Sequence, residues 1–280
     1  MKDHRKEFPI ERMASVLSVS RSGYYAWLSR PESSGKKQQR ALDSRVKVCF
    51  KTSKERSGSP KIYNALKQEG FRCSRSAVAR SMRRQGLRAK TRRRFIVTTD
   101  SKHTLAPAPN LLKRQFKEDR PNTVWVSDIT YLWSREGWLY LTVFLDLFSR
   151  RIVGWSLSKD LGHESVLSAL ESAVNNRQSG PGLMIHTDRG TQFCCDGFKK
   201  VIQRHRFIQS MSRQGNCWDN AVVESFFRAL KTEWAYHVKL LDYQHAKHEL
   251  FEYIEVFYNN QRLHGTLEYL TPAQFEKQRN

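Results

Sequence analysis

Long apolar runs are missing from this 280-residue chain. The most apolar stretch, Trp138–Phe148, is strand-sized and interrupted by Asp146, far short of the ~20 residues that span a bilayer. The start of the chain, MKDHRKEFPIERM, is charged and has no apolar core of a secretory leader. Both absences predict a cytoplasmic protein. Cysteine is scarce and unpatterned. The five residues Cys49, Cys73, Cys194, Cys195 and Cys217 are odd in number and lack C-x-x-C spacing, which argues against a disulfide framework or a thiolate zinc site. Internal repeats and low-complexity tracts are absent too. Acidic residues are few, 27 Asp+Glu against 49 Lys+Arg.

The resulting net charge of +22 favours a polyanionic partner, and nucleic acid is the commonest. Its distribution says more than its size. Residues 1–120 hold 31 Lys/Arg against 10 Asp/Glu, whereas residues 121–280 hold 18 against 17. A basic part that grips a polyanion is joined to a nearly neutral part that acts on it.

The basic part reads as helical. Residues 1–35 form a short helix-turn-helix-like region, with Met13, Val16 and Leu17 on one stripe, a turn near Ser18-Val19-Ser20, and a linker over Pro31–Gly35. Residues 36–97 form a second, basic helix-turn-helix-like unit. Ser59-Pro60 starts one of its helices, and Ser74 or Ser76 starts the next. That last helix carries Val78 and Met82 inward, with Arg75, Arg80, Arg83 and Arg84 around it, and Arg92-Arg93-Arg94 follows. Helix, short turn and Arg-rich helix is the pattern of a DNA-reading unit, so these arginines are candidate DNA contacts; the alternative is a solvated basic bundle. Residues 98–120 read as a linker with one short helical turn near Leu111–Phe116.

After Pro121 the pattern turns to strands. Val124–Trp133, Trp138–Leu147 and Arg150–Leu157 are three β-branched and aromatic runs with short connections, hence sequential antiparallel strands. A helix over His163–Asn176, a strand over Leu183–His186, a helix over Gln192–His205, a strand over Phe207–Ser210 and a long helix from about Asn220 follow. The order predicts an α/β domain over residues 121–240, a mixed five-stranded sheet with helices on both faces. Residues 241–280 extend it as helix.

Three acids stand out. Asp128 lies inside the first, otherwise apolar strand, where an unpaired charge is expensive. Asp188 ends the fourth strand, the end at which open α/β sheets collect ligands. Glu224 falls in the first turns of the last helix, with Asn220 as a candidate cap. On that helix Glu224, Arg228 and Lys231 share one face, while Val223, Phe226, Phe227, Leu230 and Trp234 cover the other. Two strand acids and one helix acid make a hard-oxygen site suited to Mg²⁺ or Mn²⁺. Two such ions can drive an in-line phosphoryl displacement. Lys231 and Arg228 are candidates for phosphate contact.

The segments W-V-S-D-I-T-Y, H-T-D-R-G-T-Q-F and N-C-W-D-N-A-V-V-E-S-F-F-R-A-L-K-T-E resemble the integrase catalytic core of insertion-sequence transposases. Asp188 and Glu224 are separated by 35 residues, as in the family's D-D-35-E signature, and Lys231 stands where the family carries a basic residue. The likeness to the second-frame protein of insertion-sequence family three extends through V-S-R-S-G-Y-Y-A-W, G-S-P-K-I-Y, V-A-R-S-M-R-R-Q-G-L and Y-N-N-Q-R-L-H-G-T-L. It implies an RNase H-like catalytic fold, two metal ions, cleavage and joining of DNA at insertion-sequence ends, and a homo-oligomer on DNA. It also implies a first-frame partner protein, joined by frameshifting. A nuclease of this fold without strand transfer and a non-catalytic DNA-binding regulator are the rival readings.

Other residues carry plainer expectations. Asp146 is expected to pair with Arg150 or Arg151, and Asp196 and Glu233 to be ordinary helix-surface charges. Cys194 and Cys195 are expected to be packing residues, and His245 and His248 an exposed helix face. Tyr258–His264 reads as a helix end that packs. The loop Gln214–Trp218 is either a lip over DNA or a simple turn.

Overall fold

The structure, a computed structural model, describes residues 1–90, 108–213 and 217–279, without the side chains of Cys217 and Trp218. Two short helices, α1 (Ile10–Val16) and α2 (Arg21–Ser29), come first, and the Ser20 side chain caps the second through Gly23 N–H. Helices α3 (Ser34–Thr52), α4 (Ser59–Gln68) and α5 (Arg75–Arg84) then pack around Val46, Phe50, Ile62, Leu66, Val78 and Met82. Ser33 accepts from Lys36 N–H, so α3 begins inside the expected linker. Ser74 does the same for α5 through Ala77 N–H. The expected turn of helix near Leu111–Phe116 does not form. Lys113 and Arg114 take left-handed φ angles of 47° and 64°, and Ser210 Oγ accepts from Leu111 and Leu112 N–H instead.

The second part holds the sheet. Strands β1 (Val124–Ser134), β2 (Gly137–Asp146) and β3 (Ile152–Ser158) run antiparallel, and β4 (Met184–Thr187) and β5 (Ile208–Met211) join β1 in parallel. The order is β3-β2-β1-β4-β5. This is the expected RNase H-like mixed five-stranded sheet behind an all-α region.

Helix α6 (His163–Arg177) with α7 (Thr191–Cys194) and α8 (Asp196–Arg204) covers one face, around Trp125, Phe144, Ile185, Phe193 and Phe198. Gly154 makes the α6 packing possible, because a Cβ there would meet Ala169 O at 2.4 Å. The single helix expected over Gln192–His205 is broken at Cys195 (ψ 155°), whose sulfur accepts from Phe198 N–H and starts α8. The other face is covered by α9 (Ala221–Glu233), α10 (Tyr243–Phe251) and a π-helical stretch, Glu252–Tyr258, that continues α10.

The last segment, with α11 (Pro272–Arg279), fastens the sheet from behind. Asn259 bridges both backbone groups of Ile152, and Glu276 accepts from Ser149, Arg151 and Arg177. Asp146 corrects an expectation. It is fully buried and caps the β2–β3 turn, accepting from Asn122, Phe148 and Ser149 N–H. Arg150 and Arg151 are engaged elsewhere, with Phe116 O and Glu276. Among the described residues no helix is long and apolar enough to cross a membrane.

Candidate active site

The parallel pairing of β1 with β4 ends at Val126↔His186. Asp128 and Asp188 each lie two residues further on, so adjacent parallel strands deliver both acids to one end of the sheet. Asp128 Oδ1 accepts from Ile129 N–H at 2.7 Å, and Asp188 Oδ1 from Gly190 N–H at 2.9 Å. Gly190 suits the tight loop after β4: a Cβ there would stand 3.0 Å from Asp188 Oδ1.

Helix α9 brings the third acid. Asn220 occupies its cap position, but its side chain does not cap. Its amide donates to Ser127 O at 3.1 Å, pinning the helix start beside Asp128. Val223, Phe226, Phe227 and Leu230 are buried beneath it, leaving Glu224 and Lys231 half-buried and Arg228 exposed on the open side.

The electrostatics report how these groups gather. Burial pushes the Asp128 carboxyl well above the usual carboxylate range, the negative charge of Asp188 adds to this, and Glu224 contributes more weakly. Burial also raises Glu224, against the pull of Arg228. Burial lowers the Lys231 ammonium, and Asp128 counters it, so this lysine shares the site. The charge of Asp188 thus acts on Asp128 more strongly than that of Glu224. Among the described residues no three His, Cys, Asp or Glu side chains stand close enough to chelate one ion as they are placed.

Two supports were invisible in the sequence pattern. Asp219, buried just before α9, accepts from Asn110 (2.8 Å), Arg114 (2.9 Å) and Arg213 (3.0 Å), and those bonds, Arg213's first, hold its carboxyl far below the usual range. It ties the segment before β1 and the end of β5 to the start of the Glu224 helix. His186 is buried between Ser210 and Ser212 on β4, and burial lowers it to about 4, so it stays neutral.

Glu233, at the far end of α9, is not the expected surface charge. It is buried and takes a two-pronged contact from Arg262 (2.8 and 2.9 Å), with Lys61 at 3.4 Å and Tyr253 Oη at 3.3 Å. Burial alone would lower Arg262 and raise Glu233; their bond reverses both directions. Arg56 donates to Glu233 O and lies over the Phe257 and Tyr253 rings. Arg56 and Lys61 belong to the first part, so the helix-turn-helix-like unit is docked on the end of α9. Arg262 and Tyr253 also draw part of the Tyr258–His264 neighbourhood into this junction.

Arg75, Arg80 and Arg83 stand exposed on α5. Arg84 instead pairs with Asp43, Nε to Oδ2 at 3.1 Å, and ties α5 to α3. Arg92, Arg93 and Arg94 lie outside the described residues, as does most of the Gln214–Trp218 loop. Asp196 is exposed, Cys194 is buried, and His248 is exposed beside a half-buried His245, whose ring accepts from Leu241 N–H.

Comparison with known proteins matches these parts. The family model described as Integrase core domain covers residues 118–217, a second of the same description covers 224–279, and an HTH-like domain covers 37–95. Transposase InsF for insertion sequence IS3A of Escherichia coli is 40% identical over 275 residues, 98% of this chain and 96% of that protein. An uncharacterized 31 kDa protein of insertion element IS600 from Shigella sonnei is 37% identical over 95% of this chain and 97% of its own length. Among solved structures, a simian T-cell lymphotropic virus intasome chain aligns over 76% of this chain and 69% of its own, with TM-score 0.49 and 17% identity. The HTLV-2 integrase catalytic core domain in complex with magnesium aligns over 56% and 97%, with TM-score 0.44 and 19% identity. With near-full-length identity of 40% to the InsF proteins, an integrase core and an HTH-like domain, the chain belongs to the insertion-sequence transposases of the IS3 type.

Proposed function

We propose that this transposase catalyses divalent-metal-dependent DNA strand cleavage and strand transfer at the ends of its insertion sequence, with Asp128, Asp188 and Glu224 as the metal-binding catalytic acids. What supports this reading is that adjacent parallel strands bring Asp128 and Asp188 to the same end of their pairing, and that the start of the Glu224 helix is tied to Ser127 O. The donor set fits a hard divalent cation. It is all carboxylate oxygen, and Asp128 is held above its ordinary range by burial and by Asp188, a cost that a cation held by these acids would offset. Asp128, Asp188 and Glu224 would hold two Mg²⁺ or Mn²⁺ ions, which would supply charge neutralisation at the phosphate and activation of a water or 3′-hydroxyl.

The chain's own residues do the rest. Lys231, held near Asp128, receives a phosphate oxygen and sets the strand in line, and Arg228 extends that contact on the open side of α9. Arg75, Arg80 and Arg83, followed by Arg92, Arg93 and Arg94, hold the DNA ends from the basic part. The protein acts as a homo-oligomer on DNA in the cytoplasm, at the nucleoid, and its active form is fused to a first-frame partner.

Replacing Asp188 by Asn keeps size and removes the charge. Strand cleavage and strand transfer on end-bearing DNA should collapse, while DNA binding, measured in parallel, survives. Glu224→Gln should do the same without adding to the first loss, since both acids serve one cluster. Lys231→Ala should give a partial defect. If the unfused chain is silent, the same substitutions are made in the frame-fused protein. Undiminished strand transfer by Asp188→Asn rules the mechanism out.

A further inference from the structure

The β5 side of the acids carries two arginines that the catalytic reading leaves unused. The register of β4 with β5 ends at Thr187↔Met211, and Ser212 N–H donates to Thr187 O at 2.9 Å. The pairing therefore runs on and sets Ser212 beside Asp188, with Arg213 next, about 6 Å from Asp188 between backbones. Arg189 Nε, in the loop after Asp188, donates to Ser212 O at 2.8 Å and ties the two strand ends together. The face is that of Asp128. Val126 packs with Phe226 of α9 and is the register partner of His186, whose ring meets Ser212 Oγ at 3.2 Å; alternation puts Asp128, two residues after Val126, on this same side. From the other direction Asn220 holds Ser127 O, next to Asp128, and Asp219 stands just before it. Arg213 and Asp219 meet between these anchors. Nε and Nη2 of Arg213 each donate to the carboxylate at 3.0 Å, and Arg114 Nε donates to it at 2.9 Å.

Two arginines on one carboxylate leave a surplus positive charge. The chain uses a similar arrangement at the far end of α9, where Arg262 and Lys61 share Glu233, but there the cations are turned inward, 15% and 21% exposed. At the sheet end only the acid is buried, at 1%, while Arg213 and Arg114 stay 57% and 43% exposed. Bonding through Nε and Nη2 fixes the plane of the Arg213 guanidinium and leaves Nη1 without a partner among the described residues. A guanidinium held in plane with donors to spare binds phosphate oxygens with little further loss of freedom. The inward pair suits a structural junction, and the outward pair suits an anion that arrives from solvent.

We propose that Arg213 and Arg114, oriented by Asp219, clamp a backbone phosphate of the DNA strand close to the phosphodiester that reacts at Asp128 and Asp188. The clamp rests on the catalytic reading for which phosphates lie there. Asp219 does not touch DNA; it holds the two guanidiniums in place. Lys231 grips the strand from α9, and the clamp grips it from the end of β5.

Binding of the full-length chain to end-bearing DNA is measured by fluorescence anisotropy without divalent ions, so no strand is cut. Each phosphate across the end is replaced in turn by an uncharged methylphosphonate. At one position close to the reacting phosphodiester the wild-type chain should lose affinity roughly tenfold, the worth of a hydrogen bond to a charged group. Arg213→Ala should bind unmodified DNA more weakly by a similar factor and lose its sensitivity at that position alone, because two partners of one contact do not add. Arg213→Lys should keep most of the sensitivity. Arg114→Ala leaves the Arg213–Asp219 bonds in place and should reduce the sensitivity at the same position, which decides the matter even if Arg213→Ala does not fold. Arginines that serve only to hold Asp219 would leave the sensitivity at every position as it is in the wild type. No sensitive position near the reacting phosphodiester, sensitivity undiminished in the alanine variants, or relief at a remote phosphate overturns the proposal. Nothing is cleaved in this assay, so its result stands apart from the strand-transfer outcome of Asp188→Asn.

Discussion

Glu233→Ala tests whether the junction at the end of α9 holds the molecule together. The carboxylate receives two bonds from Arg262, a longer contact from Lys61 and one from the Tyr253 hydroxyl, all with little solvent nearby. Removing it leaves a buried guanidinium without its counter-charge, which costs about 3–5 kcal/mol. Glu233→Gln keeps one carbonyl acceptor for Arg262, so its cost falls to about 1.5–3 kcal/mol, the worth of a hydrogen bond to a charged group.

Urea unfolding followed by tryptophan emission is the assay, because Trp234 is buried next to the site and reports its opening. The pH dependence gives a second reading. Glu233 is lowered in the fold despite the opposing effect of burial, through its bonds to Arg262. Its stabilisation is therefore full above the unfolded value of about 4.3 and is lost as pH falls through the lower folded value. That acid limb should shrink in Glu233→Ala. A loss below about 1 kcal/mol, the size expected of an exposed pair, would refute the account of a buried junction.

Two further predictions concern the basic part. Burial, with Arg262 nearby, lowers Lys61 to about 8 against the support of Glu233. Carbon-13 NMR of labelled lysines should show one resonance titrating near that value. Between about 8 and about 10.4 the unfolded chain holds this proton and the folded one does not, so this group's contribution to stability rises with pH across that window. All lysines titrating near 10.4 would count against the docked geometry. Substituting Arg75, Arg80 and Arg83 by Gln should weaken duplex binding and reduce the salt slope by about 0.9 per lost phosphate contact. An unchanged slope moves DNA binding off α5.

The strands, their antiparallel start and the amphipathic helix after them were legible because each carries a local signal: runs of β-branched and aromatic residues with short connections in β1 and β2, and a stripe of Val223, Phe226, Phe227 and Leu230 in α9. The three acids stood out for a related reason, as charges placed where such elements end or are apolar. What stayed hidden depends on partners far along the chain. Glu233 looks like any helix-end acid, yet its partners lie 29 and 172 residues away. Asp219 draws on Asn110, 109 residues before it. Asp146 sits beside two arginines in sequence, but the turn directs its oxygens at backbone N–H groups and swings the arginines elsewhere. Short-range patterns carry no signal for such pairings. The break at Cys195 escaped too, because a thiol acting as a helix cap leaves no mark in the apolar spacing.

The stitching of the sheet by Asn259 and Glu276 has a consequence for how the protein is born. The α3–α5 bundle takes its buried core from Val46 to Met82, so it can close while most of the chain is still unmade. The other part cannot. A nascent chain that has emerged through Leu240 carries all three acids, but it lacks the Asn259 clamp on Ile152, the Arg262 partner of Glu233 and the Glu276 knot over Ser149, Arg151 and Arg177. Translation therefore delivers the HTH-like bundle early and a finished sheet only with its last residues. Ribosomes that stop short release chains with the closed bundle and without the fastened sheet.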